Sequence, residues 1–412
     1  MTNLPQGWEV KKLEEIANIK GGKRLPKGEN LLDNNTKFAY IRVADFQDNG
    51  TINLQNIKFI NENTYNVLKN YKIYDDNLYI SIAGTIGKSG IIPKELNGAI
   101  LTENAVKLEY IQNNISNKFM YFFTLSNIFK TQIQTSTKIV AQPKLAITRL
   151  KQIQIPLPPL QEQERIVGIL DESFANIDES IKNLEQDLLN LDELMQSALQ
   201  KTFNPLKDNA KENYQLPQDW EWKSLGDIGE IITGTTPSKN NPNFYGNEYP
   251  LFKPSDLNGD MIIKYASDNL SKLGFDNARN IPKDTILVVC IGASIGKVGL
   301  SGVSGSCNQQ INAIIPNSKF LPKFLFFLCL SSYFQEILKN NASQTTLPII
   351  NKTEFSKLQI PLPPLQEQEQ IASYLDELSL NIKDLKQNYQ TQIKNLQELK
   401  KSLLDRAFKG RL

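Results

Sequence analysis

The chain has 412 residues and no histidine, which excludes histidine-ligated zinc, Ser-His and Cys-His nucleophiles and histidine general bases. Its length suits two or three domains with their own cores. Its three cysteines (Cys290, Cys307, Cys329) are all in the second half without close pairing, so the expectation is a reduced, cytoplasmic, soluble protein. The net charge of +2 conceals an uneven distribution: residues 1–155 carry 20 basic and 13 acidic side chains, and residues 156–204 carry 3 and 10.

The chain opens on Leu4-Pro-Gln-Gly-Trp8. A turn-rich stretch follows, Ile19-Lys-Gly-Gly-Lys-Arg24, and then short β-rich runs at Phe38 to Val43 and Leu78 to Ala83. Gly84-Thr-Ile-Gly-Lys-Ser89 reads as a β-turn presenting a lysine. It fails as a phosphate-binding loop because the required first glycine falls on Ile82. An apolar helix is predicted near Lys118 to Thr131, and Ser136-Thr-Lys138 with Gln142-Pro-Lys144 forms a polar segment beyond it. The phrase Ile155-Pro-Leu-Pro-Pro-Leu-Gln-Glu-Gln-Glu164 then opens a helix. Its apolar residues Ile177, Ile181, Leu184, Leu188, Leu191, Met195 and Ala198 step alternately by four and three, the spacing of a coiled-coil seam. Asn204-Pro205 stops it.

From there the pattern is written again. Leu216-Pro-Gln-Asp-Trp220, Ile295-Gly-Lys297 and Ile360-Pro-Leu-Pro-Pro-Leu-Gln-Glu-Gln-Glu369 repeat earlier phrases at offsets of 212, 209 and 205 positions. A β-rich run at Thr285 to Ile291 and a helix at Pro322 to Leu338 occupy the expected places. The second seam runs through Ile371, Leu375, Leu378, Ile382, Leu385 and Tyr389, and resumes at Leu396, Leu399 and Leu403. A period this long is a duplicated domain-plus-helix rather than a solenoid. The predicted fold is α+β: strand-rich mixed domains at 1–155 and 205–360, and long helices at 156–204 and 361–412 that pair as an antiparallel coiled coil under a pseudo-two-fold. The globular domains are expected at opposite ends of that rod.

Two other motifs point to enzymes and fail. Glu9-Val-Lys11 and Glu221-Trp-Lys223 have the acidic-x-Lys triplet of some metal-dependent nucleases but lack a suitably distant upstream acid. Asn241-Pro-Asn-Phe244 approaches the loop of amino-methyltransferases without a glycine-rich cofactor loop.

What remains is rich in hydrogen-bond donors and suits nucleic acid, because glycine lets backbone approach a surface, Lys and Arg reach phosphate or guanine, and Gln pairs with adenine. The candidates in the first domain are Lys20, Gly22, Lys23, Arg24, Arg42, Thr85, Lys88, Lys138, Gln142 and Lys144. Those in the second are Thr233, Thr235, Thr236, Ser238, Lys239, Lys253, Ser255, Lys297, Gln344, Thr345 and Thr346. Arg42-Val-Ala-Asp45 parallels Lys253-Pro-Ser-Asp256, so corresponding positions hold different side chains, as two sites of different specificity require.

With the Leu-Pro-x-x-Trp opening, the variable domain and the Pro-Leu-Pro-Pro-Leu-x-Glu-Gln phrase each used twice, the chain resembles the specificity subunit of type I restriction-modification systems over essentially its whole length. The resemblance implies a non-catalytic reader of double-stranded DNA, each recognition domain taking half of a bipartite, asymmetric site. It implies that the helices act as a spacer ruler and dock two methylase subunits, and restriction subunits through them. It also implies no cofactor on this chain, with S-adenosylmethionine, ATP and Mg on the partners. The rival readings are a structural coiled-coil protein with ligand-binding heads and a self-contained methyltransferase or nuclease.

Overall fold

The computed structural model describes residues 4–136, 144–203, 216–343 and 346–412. It divides into two compact units, Met1–Leu184 with Thr391–Leu412, and Glu185–Gln390.

In the first unit the strand Ala17–Gly21 pairs with Ala105–Tyr110, which pairs with Leu78–Ser81, which pairs with Ser89–Ile91, all antiparallel. A second four-stranded sheet has the order Lys58–Phe59, Ala39–Ile41, Ala99–Leu101, Lys72–Ile73, with Ala39–Ile41 and Ala99–Leu101 parallel. The second unit repeats both sheets. Ile231–Thr233, Ile311–Ile314, Ile286–Val289 and Val298–Ser301 form the first, extended by Ile262–Ile263, and Asp268–Leu270, Tyr245–Phe252, Gly305–Cys307 and Asn280–Ile281 form the other. Its parallel contact, Leu251 beside Ser306, corresponds to Tyr40 beside Ile100. The central strands are buried on both faces, which is why they read as continuous apolar runs rather than alternating ones.

Each predicted apolar helix is in fact two. Asn117–Leu125 breaks at Ser126 before Asn127–Ser136, and Pro322–Leu330 breaks at Ser331 before Ser332–Asn340. Both serines are fully buried. The Ser126 hydroxyl donates to Phe123 O at 2.7 Å and accepts from Phe129 N at 3.3 Å, and Ser331 does the same with Leu328 O and Phe334 N. A serine that ends one helix and caps the next turns the chain without leaving polar groups unpaired.

The proline phrase also departs from expectation, since its first residues are strand rather than helix. Gln154–Leu157 pairs antiparallel with Glu9–Lys12, and Gln359–Leu362 pairs with Glu221–Ser224, placing Pro156 opposite Val10 and Pro361 opposite Trp222. Proline's fixed φ suits an edge position, where its missing N–H is not needed. The helices begin after the pairs Pro158-Pro159 and Pro363-Pro364, at Leu160 and Leu365. The following glutamine explains the rest of the phrase. Gln163, buried, accepts from Ser116 N at 2.9 Å and donates to Pro158 O at 2.9 Å and Asn114 O at 3.1 Å. Gln368 accepts from Leu321 N at 2.9 Å and donates to Pro363 O at 2.9 Å. One carboxamide thus ties the start of each long helix to the loop that precedes the apolar helix.

The long helices are Leu160–Phe203 and Leu365–Ala407. Phe408, just past the second, packs on Phe119 and Phe123 with ring centroids 5.0 and 5.6 Å away, and Leu404 and Ala407 join the same core. Phe203, ending the first, packs edge-on against Phe324 at 5.5 Å, with Ala198 and Leu199 in the core of the second unit. Within the first unit Arg165 donates to Leu412 O at 3.1 Å and Lys400 meets Asp178 at 2.5 Å, so the two helical segments run antiparallel. In the second unit Lys386 pairs with Asp192.

These lysines correct the second seam. Leu385 and Leu399 are 40% and 45% exposed and stand off it. The less exposed positions instead step Ile382, Lys386, Tyr389, Ile393, Leu396, Lys400, Leu403. A lysine can occupy a seam position because its aliphatic stem packs while its ammonium reaches a carboxylate on the facing helix. Ile177, Leu375 and Ile382 are buried, and Ile181, Leu184, Leu188, Leu191, Leu378 and Leu396 are half-buried along the same stripes.

Candidate functional site

In each unit the polar segments singled out from the sequence gather at one rim, where strands of both sheets end. Three backbone hydrogen bonds build it in the first unit: Gly22 N donates to Ala105 O at 3.0 Å, Thr102 N to Ile41 O at 3.0 Å, and Ile82 N to Asn104 O at 2.8 Å. They bring together Gly21–Arg24, Arg42, Ile82–Lys88 and Thr102–Asn104. Lys144 joins through its bridge with Ala83. The second unit makes the same three bonds, from Gly234 N to Ile311 O, Asn308 N to Phe252 O and Cys290 N to Gln310 O. Gly292 N donates to Pro348 O at 2.9 Å, which adds the segment following Thr346.

The individual side chains divide by what they are already holding. Gly22 serves internal packing: a Cβ there would lie deep inside contact distance of the Leu101 and Thr102 carbonyl oxygens, and Gly234 meets Cys307 and Asn308 in the same way. Arg42 is likewise committed inside the protein. Its guanidinium holds the buried Asp45 carboxylate at 2.6 and 3.0 Å and donates to Asn56 O at 2.9 Å, while its own amide donates to Asp45 at 2.8 Å. Lys253 repeats the backbone part, its amide donating to Asp256 at 2.8 Å, and its ammonium pairs with Asp268. That hydrogen bond is the main reason the Asp268 carboxyl lies below the usual range, its partial burial acting the other way. Lys20 pairs with Glu109 at 2.5 Å and Lys88 with Asp48 at 2.8 Å, and Lys297 donates to Pro254 O at 3.4 Å.

Others face outward. Lys23, Ser238, Lys239, Ser255 and Thr346 are exposed, with the Lys23 ammonium 5.8 Å from the centre of the Tyr71 ring. Thr85 offers its carbonyl to the Ser81 hydroxyl, which leaves its side chain at the turn surface. Thr233 donates to Asn312 Oδ1 at 2.7 Å, and Thr236 to Gln309 Oε1 at 2.8 Å. Lys138, Gln142, Gln344 and Thr345 lie outside the described residues.

The structure adds residues that sequence reasoning passed over. Arg279 donates its backbone N–H to Thr235 Oγ1 at 3.0 Å and a guanidinium N–H to Thr233 O at 2.8 Å, bracing the loop that carries three candidate threonines. Thr102-Glu103-Asn104 and Asn308-Gln309-Gln310 are the rim's innermost loops. Aligning the two copies would have exposed them as polar interruptions between apolar strands. Glu103 accepts from Arg24 Nε at 2.6 Å. Partial burial alone would raise its carboxyl, but hydrogen bonds from Arg24, its own amide and Thr102, with the Arg24 charge, hold it below the usual range.

The enzyme-like motifs have structural explanations. Glu9 and Lys11 pair with each other on their strand at 2.8 Å, as do Glu221 and Lys223 at 2.7 Å. Asn241 caps the short turn Pro242–Phe244. Among the described residues no group of three or more acidic or cysteine side chains is placed to hold a metal, and no helix is long and apolar enough to cross a membrane.

Residues 5–190 and 217–395 each match the type I restriction modification DNA specificity domain. The chain belongs to that family. It carries two specificity domains in tandem and is a type I specificity subunit. It is 33% identical to the HindI specificity subunit of Haemophilus influenzae over 200 residues, which span 48% of this chain and 42% of that subunit. It is 24% identical to the putative MjaX specificity subunit of Methanocaldococcus jannaschii over 424 residues, covering 99% and 94% of the two chains. A chain from a solved type I R-M system superposes with a TM-score of 0.79 at 21% identity, covering both chains completely, a likeness that shows a shared fold.

Proposed function

We propose that this chain is the DNA-reading, non-catalytic subunit of a methylating and restricting assembly, each domain reading one half of a bipartite, asymmetric duplex site through its rim. The observation that carries this reading is the pair of rims: the same backbone frame is built twice, and corresponding positions carry different side chains. Two copies with one surface chemistry would suit a symmetric target, whereas two chemistries suit unlike halves. The rims bear exposed Lys, Arg, Thr and Gln side chains, the residue types that combine phosphate anchoring with base-edge contacts.

The long helices then have two tasks. They set the number of base pairs between the half-sites, and they dock two methylase subunits, with restriction subunits joining through those. Leu189, Leu194, Tyr374, Leu380, Leu385 and Leu399 are exposed on them, apolar side chains that suit such a partner. S-adenosylmethionine, ATP and Mg belong to the partner subunits, and the assembly works in the cytoplasm.

Titration of a labelled duplex with the full chain at several salt concentrations tests the reading. Phosphate contacts release counterions, so affinity is expected to fall steeply as salt rises. A salt-independent Kd would oppose a DNA-reading rim. Methyl transfer from labelled S-adenosylmethionine is expected only when a methylase subunit is added, and turnover by the purified chain alone would reveal a self-contained enzyme.

A further inference from the structure

At the centre of each rim the loop after the first sheet strand meets the loop joining the two sheets, and the side-chain pair formed there differs between the domains. In the first domain Arg24 donates its Nε to Glu103 Oε1 at 2.6 Å. In the second, Thr236 donates its hydroxyl to Gln309 Oε1 at 2.8 Å. The backbone frame shows that these positions correspond, because Gly22 and Gly234 bond to Ala105 O and Ile311 O, both at 3.0 Å, two residues beyond Glu103 and Gln309. We propose that Arg24 and Gln309 are the base-selecting residues of the two domains, Arg24 taking a guanine and Gln309 an adenine. The inference rests on the DNA-reading function proposed above and deepens it.

Elimination leaves Arg24 with Lys23 and Lys144 among the rim's basic residues, and of these only Arg24 carries the planar fork that meets guanine bidentately. Arg42 is spent on Asp45 and Asn56 O, Lys20 on Glu109, and Lys88 on Asp48. Arg24 is 79% exposed, and only its Nε is engaged among the described residues, so its two terminal amino groups stay free. Pairing at Nε fixes the plane of the guanidinium and leaves the outer fork to meet guanine O6 and N7, the geometry in which arginine selects that base. The adjacent Glu103 carboxylate offsets the positive charge, which makes the pair a poor phosphate anchor and leaves directional hydrogen bonding as its use. Glu103 is therefore a positioning residue.

Gln309 is exposed, and Thr236 occupies one lone pair of its amide oxygen. The second lone pair and the amide NH2, which has no partner among the described residues, form the acceptor-donor edge complementary to adenine N6 and N7. A neutral carboxamide held by a neutral hydroxyl cannot act through charge at all.

The test is selection of bound duplexes from a randomised pool by the full chain, for the wild type, R24Q and Q309E, with R24K as a milder variant and thermal melts to verify folding. The wild type is expected to enrich a guanine in one half and an adenine in the other. R24Q should lose the guanine preference by about tenfold or more while the second half stays intact. Q309E should move its position toward cytosine, whose amino group a carboxylate accepts, with the first half intact. R24K should weaken the guanine preference without abolishing it. Absence of any enriched motif with the wild type would overturn the DNA reading itself. An enriched motif that R24Q, R24K and Q309E all leave unchanged would overturn the base assignment alone.

Discussion

At the scale of single residues, several positions that look like surface recognition groups serve packing inside their own unit. Gly22 is the clearest case. Its lack of a Cβ lets the loop cross over the carbonyls of Leu101 and Thr102, and Gly234 repeats the crossing over Cys307 and Asn308. Gly22→Ala must push backbone against backbone, and a cost of about 2–4 kcal/mol is expected, the range of severe steric disruption. Gly168→Ala is the control, since a Cβ there meets nothing and its backbone is helical, and a melt in which both variants lose equal stability would contradict this account. The cysteines give a pH expectation. Burial pushes the Cys290 and Cys307 thiols up to about 12, and Cys329 well above its ordinary value of 9.0. A folded pKa raised above the unfolded one gives stability that is complete below about 9 and is lost as pH rises from there toward 12, because only the unfolded chain can ionise its thiols. Native protein at pH 8 is expected to resist thiol-labelling reagents until denaturant is added, and rapid labelling of three thiols without denaturant would refute the burial.

At the scale of elements, the long helices depend on their seam. Leu184 and Leu396 are half-buried on facing stripes, and the seam nearby contains Lys400, which already has Asp178 as its partner. Leu184→Asp combined with Leu396→Asp places two further carboxylates on an apolar seam, at a cost of several kcal/mol. The helix pair is expected to separate and methylase co-purification to be lost, while the sheets of each unit stay folded. Unchanged co-purification would remove the helices as the docking platform. Leu385 offers the contrast: it is off the seam, so Leu385→Asp should leave the helix pair intact.

At the scale of the whole molecule, duplication makes the two halves separable. If each domain reads half of the site, exchanging residues 212–355 for the matching segment of a relative changes one half of the methylated motif and leaves the other. Spacing follows the helices instead. Duplicating Leu188 to Leu191 adds four residues, about 6 Å at 1.5 Å per residue, against roughly 3.4 Å per base pair of duplex DNA. The gap is expected to widen by one or two base pairs, provided that the accompanying rotation is absorbed. Long-read methylation mapping checks both. Alteration of both halves by the exchange, or an unchanged spacer in an active insertion variant, would reject the separation of reading from spacing.

The repeat, the strand-rich α+β character and the seam through Ile177 to Ala198 were legible because they are local: a duplicated phrase and a 3.5-residue period need no knowledge of distant contacts. The same locality explains the misreadings. A proline can start a helix or line an edge strand, and only the pairing of Pro156 with Val10 decided between them. Leucine outranks lysine as a seam residue by its chemistry alone, so the sequence points to Leu385, whereas the ion pair with Asp192 on the facing helix places Lys386 there. The rim was visible as a set of polar turns, yet which turns meet depends on hydrogen bonds between residues some 80 positions apart, such as Gly22 with Ala105. By itself the sequence determined two copies of a domain and a helix, with chemistry suited to nucleic acid. Only the tertiary structure decided which donors were already spent on internal carboxylates and which remained free at the rim, because a hydrogen-bonding group's availability depends on its neighbours in space rather than in the chain.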